Sequence, residues 1–371
     1  MREITSIEIG RALAELKDKL EGGRLRKFYD LGDGSFRFLF YKKDGNVQVY
    51  CRLLGTFNET KFVEPVGDAS TFSMGIRKRI ENGRVTALRQ HGSDRMIIIE
   101  FSADGYRLVI EMFGKGNVIL INSSGVIEQC YRTVRYRDRS VAPGNHYEFP
   151  KGNVIPLDTL NGESLAGILE RAAHGKKLIR HLSDMVNIGP IYLEDIIRRS
   201  GIDPGIEASG FGEKEKMALI SQIILFQERE KTDKPRIYME NGSAKDYAIV
   251  DVVRYYGFEF VEYESFNVLL DNFWIEPRME NADLAKSSER KKIESSIEAQ
   301  KQLVTSALAE SEYYSGAGMK IFENMQQINA VIDYLKKNRN AKLGDVQAAF
   351  SHIKIVGLEL KDKTVKMEIA E

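Results

Sequence analysis

The sequence has little cysteine and no long apolar run. Only two of its 371 residues are cysteine, Cys51 and Cys130, and they lie far apart without CxxC spacing. This excludes a disulfide framework and a sequence-readable zinc finger. No run of about 18 apolar residues is present, and residues 1–5 contain no apolar segment typical of an export signal. We therefore expect a cytoplasmic protein that does not enter a membrane.

An excess of charge of either sign is also missing. Lysine plus arginine and aspartate plus glutamate both number 54, so the net charge is zero. A non-specific DNA coat would be basic overall, so any contact with nucleic acid requires local basic patches. The five histidines are scattered without metal-ligand spacing, and no G-x-S-x-G nucleophile motif occurs. We expect no metal, no cofactor and no catalytic site, and therefore not an enzyme.

The first 155 residues read as an antiparallel β-sandwich flanked by helices, an α+β fold. Apolar residues recur at helical spacing over residues 6–20, and Ser70 and Asn82-Gly83 bracket a second helix over 70–81. Glycine with Asp or Asn marks hairpin turns between the strands. Strands are predicted at 24–31, 36–41, 47–54, 84–89, 95–101, 106–111, 117–122 and 126–135.

Four further segments are predicted after the sandwich. Residues 156–232 form a helical domain, and 233–276 form a strand-rich closing segment with strands at 235–239, 247–253 and 258–263 and a short helix at 265–274. A long coiled-coil helix spans 277–340, and 341–371 begins another domain with strands at 352–358 and 364–369. The coiled-coil prediction depends on a heptad seam formed by Ile321, Met325, Ile328, Ile332 and Leu335.

Within the helical domain, residues 185–197 are typical of a helix-hairpin-helix. Such a turn uses glycines to point backbone N–H groups at a phosphate, and Gly189 stands in one of these positions. Asn187 replaces the other glycine. Because asparagine tolerates the left-handed conformation, we expect the turn to survive this change.

Three basic clusters are candidates for RNA or phosphate binding, although each alone is also typical of a solvated surface. Arginines interleaved with aromatics suit RNA, through phosphate contacts and stacking on unpaired bases. Tyr131 and Tyr136 supply the aromatics in the second cluster. The clusters are Arg77 and Lys78; Arg132, Arg135, Arg137 and Arg139; and Lys176 and Lys177.

The Asp94-Arg95 pair before the strand Met96–Phe101 has two interpretations. It can be a local ion pair that braces the strand entry. It can also be a recognition pair for a nucleotide, with the arginine as bidentate donor and the aspartate as acceptor. If these residues have only a structural role, Glu8 on the first helix is expected to be an exposed acidic residue.

Several segments together resemble the NFACT family of ribosome quality control proteins. They are residues 72–85, 92–101, 111–120 and 142–147, then Phe266-Asn267 with Asp271 and Phe273, and residues 321–324. The resemblance implies an N-terminal domain like that of formamidopyrimidine-DNA glycosylases. It also implies binding to large ribosomal subunits blocked by peptidyl-tRNA and recruitment of charged tRNA, so that the stalled chain gains a C-terminal tail. It makes Asp94, Arg95, Glu8, Arg77 and Lys78 the candidate tRNA-binding residues.

Family members usually continue past a second coiled-coil arm into a further RNA-binding domain, whereas this chain ends at Glu371. We therefore expect a truncated or short member, with a possible protein partner at the coiled-coil tip.

Three other functions compete with this interpretation. A DNA glycosylase/lyase requires an N-terminal proline amine, but position 2 is Arg2, and Glu3 alone cannot form the imine. A fibronectin-binding surface adhesin requires export, for which no signal is seen. A coiled-coil scaffold without an RNA role requires only the long helix.

Overall fold

Helix α1 (Ser6–Leu20) opens the fold with the bounds that the sequence predicts. In this computed structural model, Thr5 caps the helix by a reciprocal pair of contacts with Glu8. Its apolar side chains Ile9, Leu13, Leu16 and Leu20 enter the main core. The structure describes residues 2–63, 66–102, 104–150, 154–172, 175–210, 212–359 and 364–368; for residues 276, 277 and 280–289 it describes the helical backbone alone.

The predicted β-sandwich is confirmed. Phe36, Phe38 and Phe40 of the first sheet share one core with Ile97 and Ile99 of the second, because alternate side chains of a strand face the same side. Helix α2 (Thr71–Ile80), capped by Ser70, also packs on this core. The first sheet has the order β1 (Arg24–Gly32), β2 (Ser35–Lys42), β3 (Gly45–Arg52), β4 (Thr56–Glu59); the second has the order β5 (Val85–Gln90), β6 (Met96–Phe101), β7 (Arg107–Glu111), β8 (Asn117–Ile121), β9 (Ile127–Cys130).

The outer face of the second sheet is also covered. Met96 and Ile98 point away from the sandwich and form a second small core with Val141, Tyr147 and Phe149. The run Met96–Phe101 is therefore buried on both faces, which explains its continuous apolar sequence. The predicted strand 126–135 is wrong as one element: it breaks into β9 and β10 (Val134–Arg135), and β10 pairs with β11 (Ser140–Val141). Asn117 causes the break by bonding both the N–H and the carbonyl of Arg132.

The helical and closing segments follow the sandwich. The predicted strand 247–253 is wrong. The strand in this part of the chain, β13, spans Ser243–Ala248, and Val253–Tyr255 forms a 3-10 turn. Hydrogen bonds from the N–H groups of Val252 and Val253 to Tyr238 and Asp195 hold this part of the chain away from a ladder. The helices are α3 (Gly162–Glu170), α4 (Leu178–Met185), α5 (Pro190–Arg199) and α6 (Glu213–Thr232); the sheet has the order β13 (Ser243–Ala248), β12 (Arg236–Glu240), β14 (Glu259–Glu262).

The chain divides into two units, Met1–Ala282 and Asp283–Glu371. Helix α7 (Phe266–Glu323) runs through the predicted boundary at 276/277 and through Pro277 without interruption. Proline in a helix interior costs about 3 kcal/mol. The preceding turns are strongly anchored, because Phe266, Leu269, Leu270 and Trp274 are buried in the main core.

The second unit contains its own small core. Val331 is buried there with Ala341, Val346 and Ile355, and Leu335 packs against them. The predicted continuous heptad seam is therefore wrong at its C-terminal end: α7 stops at Glu323, and Leu335 belongs to this core instead. The elements are α8 (Met325–Lys337), the unpredicted α9 (Leu343–Ala349), and antiparallel β15 (Lys354–Glu359) and β16 (Thr364–Glu368); position 369 of the predicted last strand lies outside the described residues.

The start of α7 is capped by a carboxylate from α1. Glu15 accepts hydrogen bonds from the Ser265 hydroxyl at 2.6 Å and from the backbone N–H groups of Phe266 and Asn267 at 2.8 and 3.0 Å. Burial alone would raise the pKa of Glu15, but these hydrogen bonds hold it below its ordinary value. The first helix thereby positions the longest one, although 250 residues separate Glu15 from Ser265.

Replacing Glu15 by glutamine (Glu15→Gln) is expected to lower the free energy of unfolding of the first unit by about 2 kcal/mol at neutral pH, the scale of a hydrogen bond to a charged group. Because the folded-state pKa of Glu15 is lowered, the wild-type advantage is present above the ordinary carboxyl pKa. It is lost as the pH falls through the folded-state value. Thermal unfolding across this pH range measures the difference.

The matched control is Glu81→Gln, which removes a surface carboxylate that pairs only with Lys27 at 2.8 Å among its described contacts. It should change stability by less than about 0.5 kcal/mol. Equal losses in the two variants, or a Glu15→Gln deficit independent of pH, would contradict the capping role.

Candidate nucleic-acid interface

Asp94 and Arg95 lie on a tight turn, residues 91–95, that connects β5 to β6. The N–H of His91 donates to the carbonyl of Met96, and the N–H of Asp94 donates to the carbonyl of His91, both at 3.0 Å. Gly92 has φ of +53°, a left-handed conformation that favours glycine. The local sequence Gly92-Ser93-Asp94 therefore suits this turn, which we call the 91–95 turn.

The carbonyls of the 91–95 turn are held by two other parts of the chain. The Ser93 carbonyl accepts from the hydroxyl of Ser6 on α1 and, at 2.6 Å, from the side-chain amide of Asn187 between α4 and α5. The amide of Gln90 donates to the carbonyls of Asp94 and Ser6 at 2.8 and 3.0 Å. These contacts fix the backbone of the turn without using the Asp94 or Arg95 side chain.

Asp94 and Arg95 do not pair with each other, so the ion-pair interpretation of these two residues is wrong. Arg95 pairs instead with Glu3, whose side chain is half exposed. The half-buried Asp94 carboxylate accepts no hydrogen bond from any residue that the structure describes. Burial raises its pKa, an effect that the nearby His91 partly offsets.

Glu8 is completely buried, which corrects the expectation of an exposed acidic residue. Its carboxylate pairs with Arg2, accepts from the N–H of Thr5 at 2.8 Å and from the Tyr192 hydroxyl at 2.5 Å. Burial alone would lower the pKa of Arg2, but Glu8 and its other neighbours raise it, so Arg2 keeps its charge. Glu8 has no exposed surface with which to contact RNA. We assign it the role of holding residues 2–8 in position.

Arg2 extends this buried network to the closing segment. Its guanidinium donates to Asp246 at 2.9 Å and to the carbonyl of Tyr247, whose ring it also covers at 4.4 Å. Tyr192 on α5 bonds the N–H of Ile249 at 3.1 Å in addition to Glu8. The N-terminal segment, α1, α5 and the end of β13 therefore meet at one ion pair. Nothing in the local sequence indicates this junction, since its members are up to 245 residues apart.

The connection between α4 and α5 is packed against the start of α1. Gly189 has φ of +104°, and a Cβ there would lie 2.5 Å from the Cγ2 of Thr5. Glycine is thus required by backbone conformation and by close approach together. Asn187 does not adopt the left-handed conformation expected for it; its side chain bonds Ser93 instead. Phosphate binding at Gly189 remains a prediction.

The basic residues of α2 divide into packed and exposed ones. Arg77 donates to the carbonyl of Phe28 at 2.7 Å, and its guanidinium lies 5.0 Å from the centre of the Tyr29 ring. Lys78 is exposed. Only Lys78 of the two predicted residues is available without breaking a contact seen in the structure.

The four arginines after β9 divide in the same way. Arg139 is buried and pairs with Glu111 at 2.6 Å, and Arg132 donates to the carbonyls of Lys115 and Gly116. Arg135 and Arg137 are exposed. The predicted cluster is therefore half structural, and Tyr136 stacks on the structural member, Arg139, at 4.5 Å.

The third basic pair contributes one exposed cation. Lys176 forms an ion pair with Asp184 at 2.8 Å, and this contact lowers the pKa of Asp184. Lys177 precedes α4 and is exposed. In the described part of the chain no group of three His, Cys, Asp or Glu side chains could hold a metal ion, and no helix is long and apolar enough to cross a membrane.

Two clefts flank the 91–95 turn. One, of about 620 Å³, is bordered by Ser93, by Gly10 of α1 and by Glu230 of α6, a residue whose pKa is raised by burial. The other, of about 430 Å³, is bordered by Glu3 and Arg95 and by the start of α5. The turn thus forms a ridge that a ligand can approach from either side.

A model of the NFACT N-terminal and middle domains matches residues 5–344. The chain belongs to the NFACT family. It is 26% identical over 358 residues to the archaeal Rqc2 homolog aRqcH of Methanocaldococcus jannaschii, covering 91% of this chain and 52% of that protein. It is 25% identical over 315 residues to the human ribosome quality control complex subunit NEMF, covering 76% of this chain and 28% of that protein. It is 22% identical to the Rqc2 homolog RqcH of Bacillus subtilis, covering 70% of this chain and 46% of that protein.

The chain spans about half the length, or less, of these curated relatives. Two solved structures share its fold. One is the fibrinogen binding protein from Staphylococcus aureus, with a TM-score of 0.60 and 19% identity over 73% of this chain and 98% of that one. The other is the N-terminal part of the fibronectin/fibrinogen-binding protein from Streptococcus suis, with a TM-score of 0.59 and 18% identity over 74% of this chain and 99% of that one. At these identities the likeness concerns the fold alone.

Replacing Glu8 by glutamine (Glu8→Gln) is expected to lower the free energy of unfolding of this NFACT chain by about 3 kcal/mol, because it leaves the largely buried Arg2, whose side chain is 17% exposed, facing a neutral amide. Thermal or urea unfolding measures the loss. Glu3→Gln is the matched control, since it also removes a carboxylate paired with an arginine, but a half-exposed one, and should cost less than about 1 kcal/mol. A Glu8→Gln variant as stable as Glu3→Gln would show that Asp246 alone satisfies Arg2.

Proposed function

We propose that this chain is a ribosome quality control factor that binds large ribosomal subunits blocked by peptidyl-tRNA. We further propose that it recruits a charged tRNA to them for C-terminal tailing of the nascent chain. Family membership supports the first part, because relatives from an archaeon, a human and a bacterium carry ribosome quality control names. The observation that carries the RNA contact is the 91–95 turn, which has a fixed backbone, a carboxylate to which no described residue donates a hydrogen bond, and an arginine beside it.

The charge distribution is compatible with RNA binding despite the zero net charge. Several basic side chains form hydrogen bonds or ion pairs within the protein, among them Arg2, Arg77 and Arg139. The exposed ones are available to bind RNA phosphates. Contacts to phosphates position an RNA but do not read its sequence. In the first unit these include Lys78, Arg135, Arg137 and Lys177.

The proposed role is binding and not catalysis. Around the 91–95 turn we assign no nucleophile, and the residue in the second position is an arginine engaged by Glu8 and Asp246, not a free amine nucleophile. The glycosylase/lyase alternative therefore gains no support from this site. A cytoplasmic location and a protein partner at the end of the coiled-coil arm belong to the same proposal.

The double variant Asp94→Ala/Arg95→Ala is expected to lose tRNA while keeping large-subunit binding, because it removes both recognition side chains and leaves the backbone contacts of Ser93 intact. The measurement is sequencing of RNA co-purified with the tagged full chain from its native host. Arg89→Ala is the control: it removes an exposed arginine from neighbouring β5, where Arg89 pairs with Glu100 at 2.9 Å.

Enrichment of one tRNA family with wild type and Arg89→Ala, but not with the double variant, is the expected result. Equal tRNA recovery with all three proteins would contradict the assignment of the site. Absence of both tRNA and large-subunit rRNA from the wild-type sample would contradict the function itself.

Glu3→Gln is expected to bind tRNA about two- to fivefold more tightly than wild type at low salt. An RNA phosphate that binds Arg95 must displace Glu3, and an exposed ion pair contributes up to about 1 kcal/mol. Filter binding at two salt concentrations measures the gain, which should shrink as salt screens the pair. Glu100→Gln, which frees Arg89 instead, should change nothing; a weaker Glu3→Gln complex would mean that Glu3 orients Arg95 for RNA.

A further inference from the structure

We propose that the outer edge of β14 (Glu259–Glu262) binds an extended basic segment of a partner protein, which joins the three-stranded closing sheet as a further strand. The outer edge consists of the backbone N–H and carbonyl groups of Phe260 and Glu262. This surface goes beyond the proposed function, since it uses none of the residues assigned to RNA.

The backbone of β14 bonds its neighbour β12 at every second residue. The N–H of Tyr263 donates to the carbonyl of Pro235 at 2.9 Å, so Tyr263 and, two residues earlier, Val261 face β12. Because inward and outward residues alternate along an antiparallel strand, Phe260 and Glu262 direct their backbone groups away from the sheet. No hydrogen bond from the described part of the chain reaches these outward groups.

The other outer strands of the sheets with three or more strands are covered. Each takes part in at least one hydrogen bond on its outward side, whereas an uncovered edge is a template for pairing with another chain. Of these outer strands, only β14 has no such bond to a described residue. The covering bonds join Leu25 of β1 to Gly83, Glu59 of β4 to the Asn267 side chain, Leu88 of β5 to the Glu21 side chain, Ile127 of β9 to Asn145, and Tyr247 of β13 to Arg2.

The side chains of β14 are exposed as well. Phe260 and Val261 are apolar, yet they are 47% and 46% exposed, and a glutamate flanks them on each side. Glu259 forms no ion pair with a described residue, and Arg236 contacts Glu262 through Oε1, at 2.9 and 3.0 Å. The Glu259 carboxylate and Oε2 of Glu262 can therefore accept hydrogen bonds from a lysine or arginine.

The strand that would receive the partner is already held in place. The guanidinium of Arg236 lies 4.3 Å from the centre of the Phe260 ring, and the Tyr238 ring meets that of Phe260 at 6.4 Å. Arg236 is itself held by Asp251 at 2.8 Å. Binding therefore has to order the incoming segment but not β14, which limits the entropic cost of adding a strand.

The exposed side chains of β14 specify the sequence of the incoming strand. Residues directly opposite each other in an antiparallel pair interact, and opposite charges or aromatic and β-branched partners stabilise the pair. Glu259-Phe260-Val261-Glu262 therefore selects a basic residue, two apolar residues and a second basic residue. RNA is disfavoured, because the charged side chains of β14 are all carboxylates. A second copy of β14 is disfavoured because it would bring the same carboxylates together.

The test uses the full chain and two synthetic peptides with blocked ends. One peptide has a valine and a tyrosine between two lysines, and the other has glutamates in place of the lysines. Residue-resolved amide hydrogen exchange, measured by NMR, reports where a peptide binds. The N–H groups of Phe260 and Glu262 should exchange rapidly in the free protein and slowly with saturating lysine peptide, whereas the N–H of Val261 should be protected in both states.

Glu259→Lys is expected to weaken binding of the lysine peptide about two- to fivefold, the scale of one cross-strand charge pair, and to strengthen binding of the glutamate peptide by a similar factor. Glu228→Lys changes an exposed acid on α6 and is the control, which should leave both affinities unchanged. Phe260→Pro removes an outward N–H but no bond to β12, so it should prevent binding of the lysine peptide. Thermal unfolding confirms that each variant is folded.

Protection of Phe260 and Glu262 by the lysine peptide, with the charge preference reversed in Glu259→Lys, would support the added strand. Unchanged exchange at these two amides, or equal affinity of wild type for the two peptides, would overturn it. Self-association of wild type that Phe260→Pro abolishes would assign the edge to a second copy and would overturn it too. None of these measurements involves RNA, so such a failure leaves the proposed tRNA recruitment standing.

Discussion

The buried ion pair between Glu8 and Arg2 is the contact on which the rest of the first unit depends. The Glu8 carboxylate is fully buried and the Arg2 side chain is 17% exposed. Such a pair is stable only when further hydrogen bonds compensate for the lost water, and Thr5, Tyr192, Asp246 and Tyr247 supply them. The pair thereby fastens the N-terminal segment to α1, to α5 and to the closing segment. It also determines where Glu3 lies, and hence the partner of Arg95.

Residues next to this junction also hold the backbone of the 91–95 turn in place. Ser6 begins α1 immediately after the Thr5 cap, and Asn187 lies two residues before Gly189, whose backbone packs on Thr5. Both side chains bond the carbonyl of Ser93. The turn is therefore fixed by two other parts of the chain at once, the start of α1 and the connection between α4 and α5. This is the arrangement expected of a recognition site, where preorganisation lowers the entropic cost of binding.

Charge serves two purposes in this neutral chain. Inside, arginines bind carbonyls and carboxylates and order loops: Arg77 holds β1 and Arg139 holds the segment that carries Tyr147 and Phe149. Outside, basic side chains such as Lys78, Arg135, Arg137 and Lys177 are exposed. A basic cluster in a sequence consequently overstates the positive surface, because proximity along the chain does not reveal which members point inward.

The sequence by itself determined the local elements: α1 agrees at both ends, Ser70 caps α2 as expected, and the sandwich follows from strand periodicity and turn residues, which act over a few positions. Its errors lie where distant contacts override local preference, as when core packing carries α7 through Pro277 or when Leu335 joins the small core of the second unit. Asp94 and Arg95 could be named as a candidate site from their position before a buried strand and from family resemblance. Their surroundings could not, because the partners of this site, Glu3, Ser6 and Asn187, are close only in the folded chain. Only tertiary structure decided that Glu8 is buried, that Arg95 pairs with Glu3 and that no residue in the described part of the chain bonds the Asp94 carboxylate.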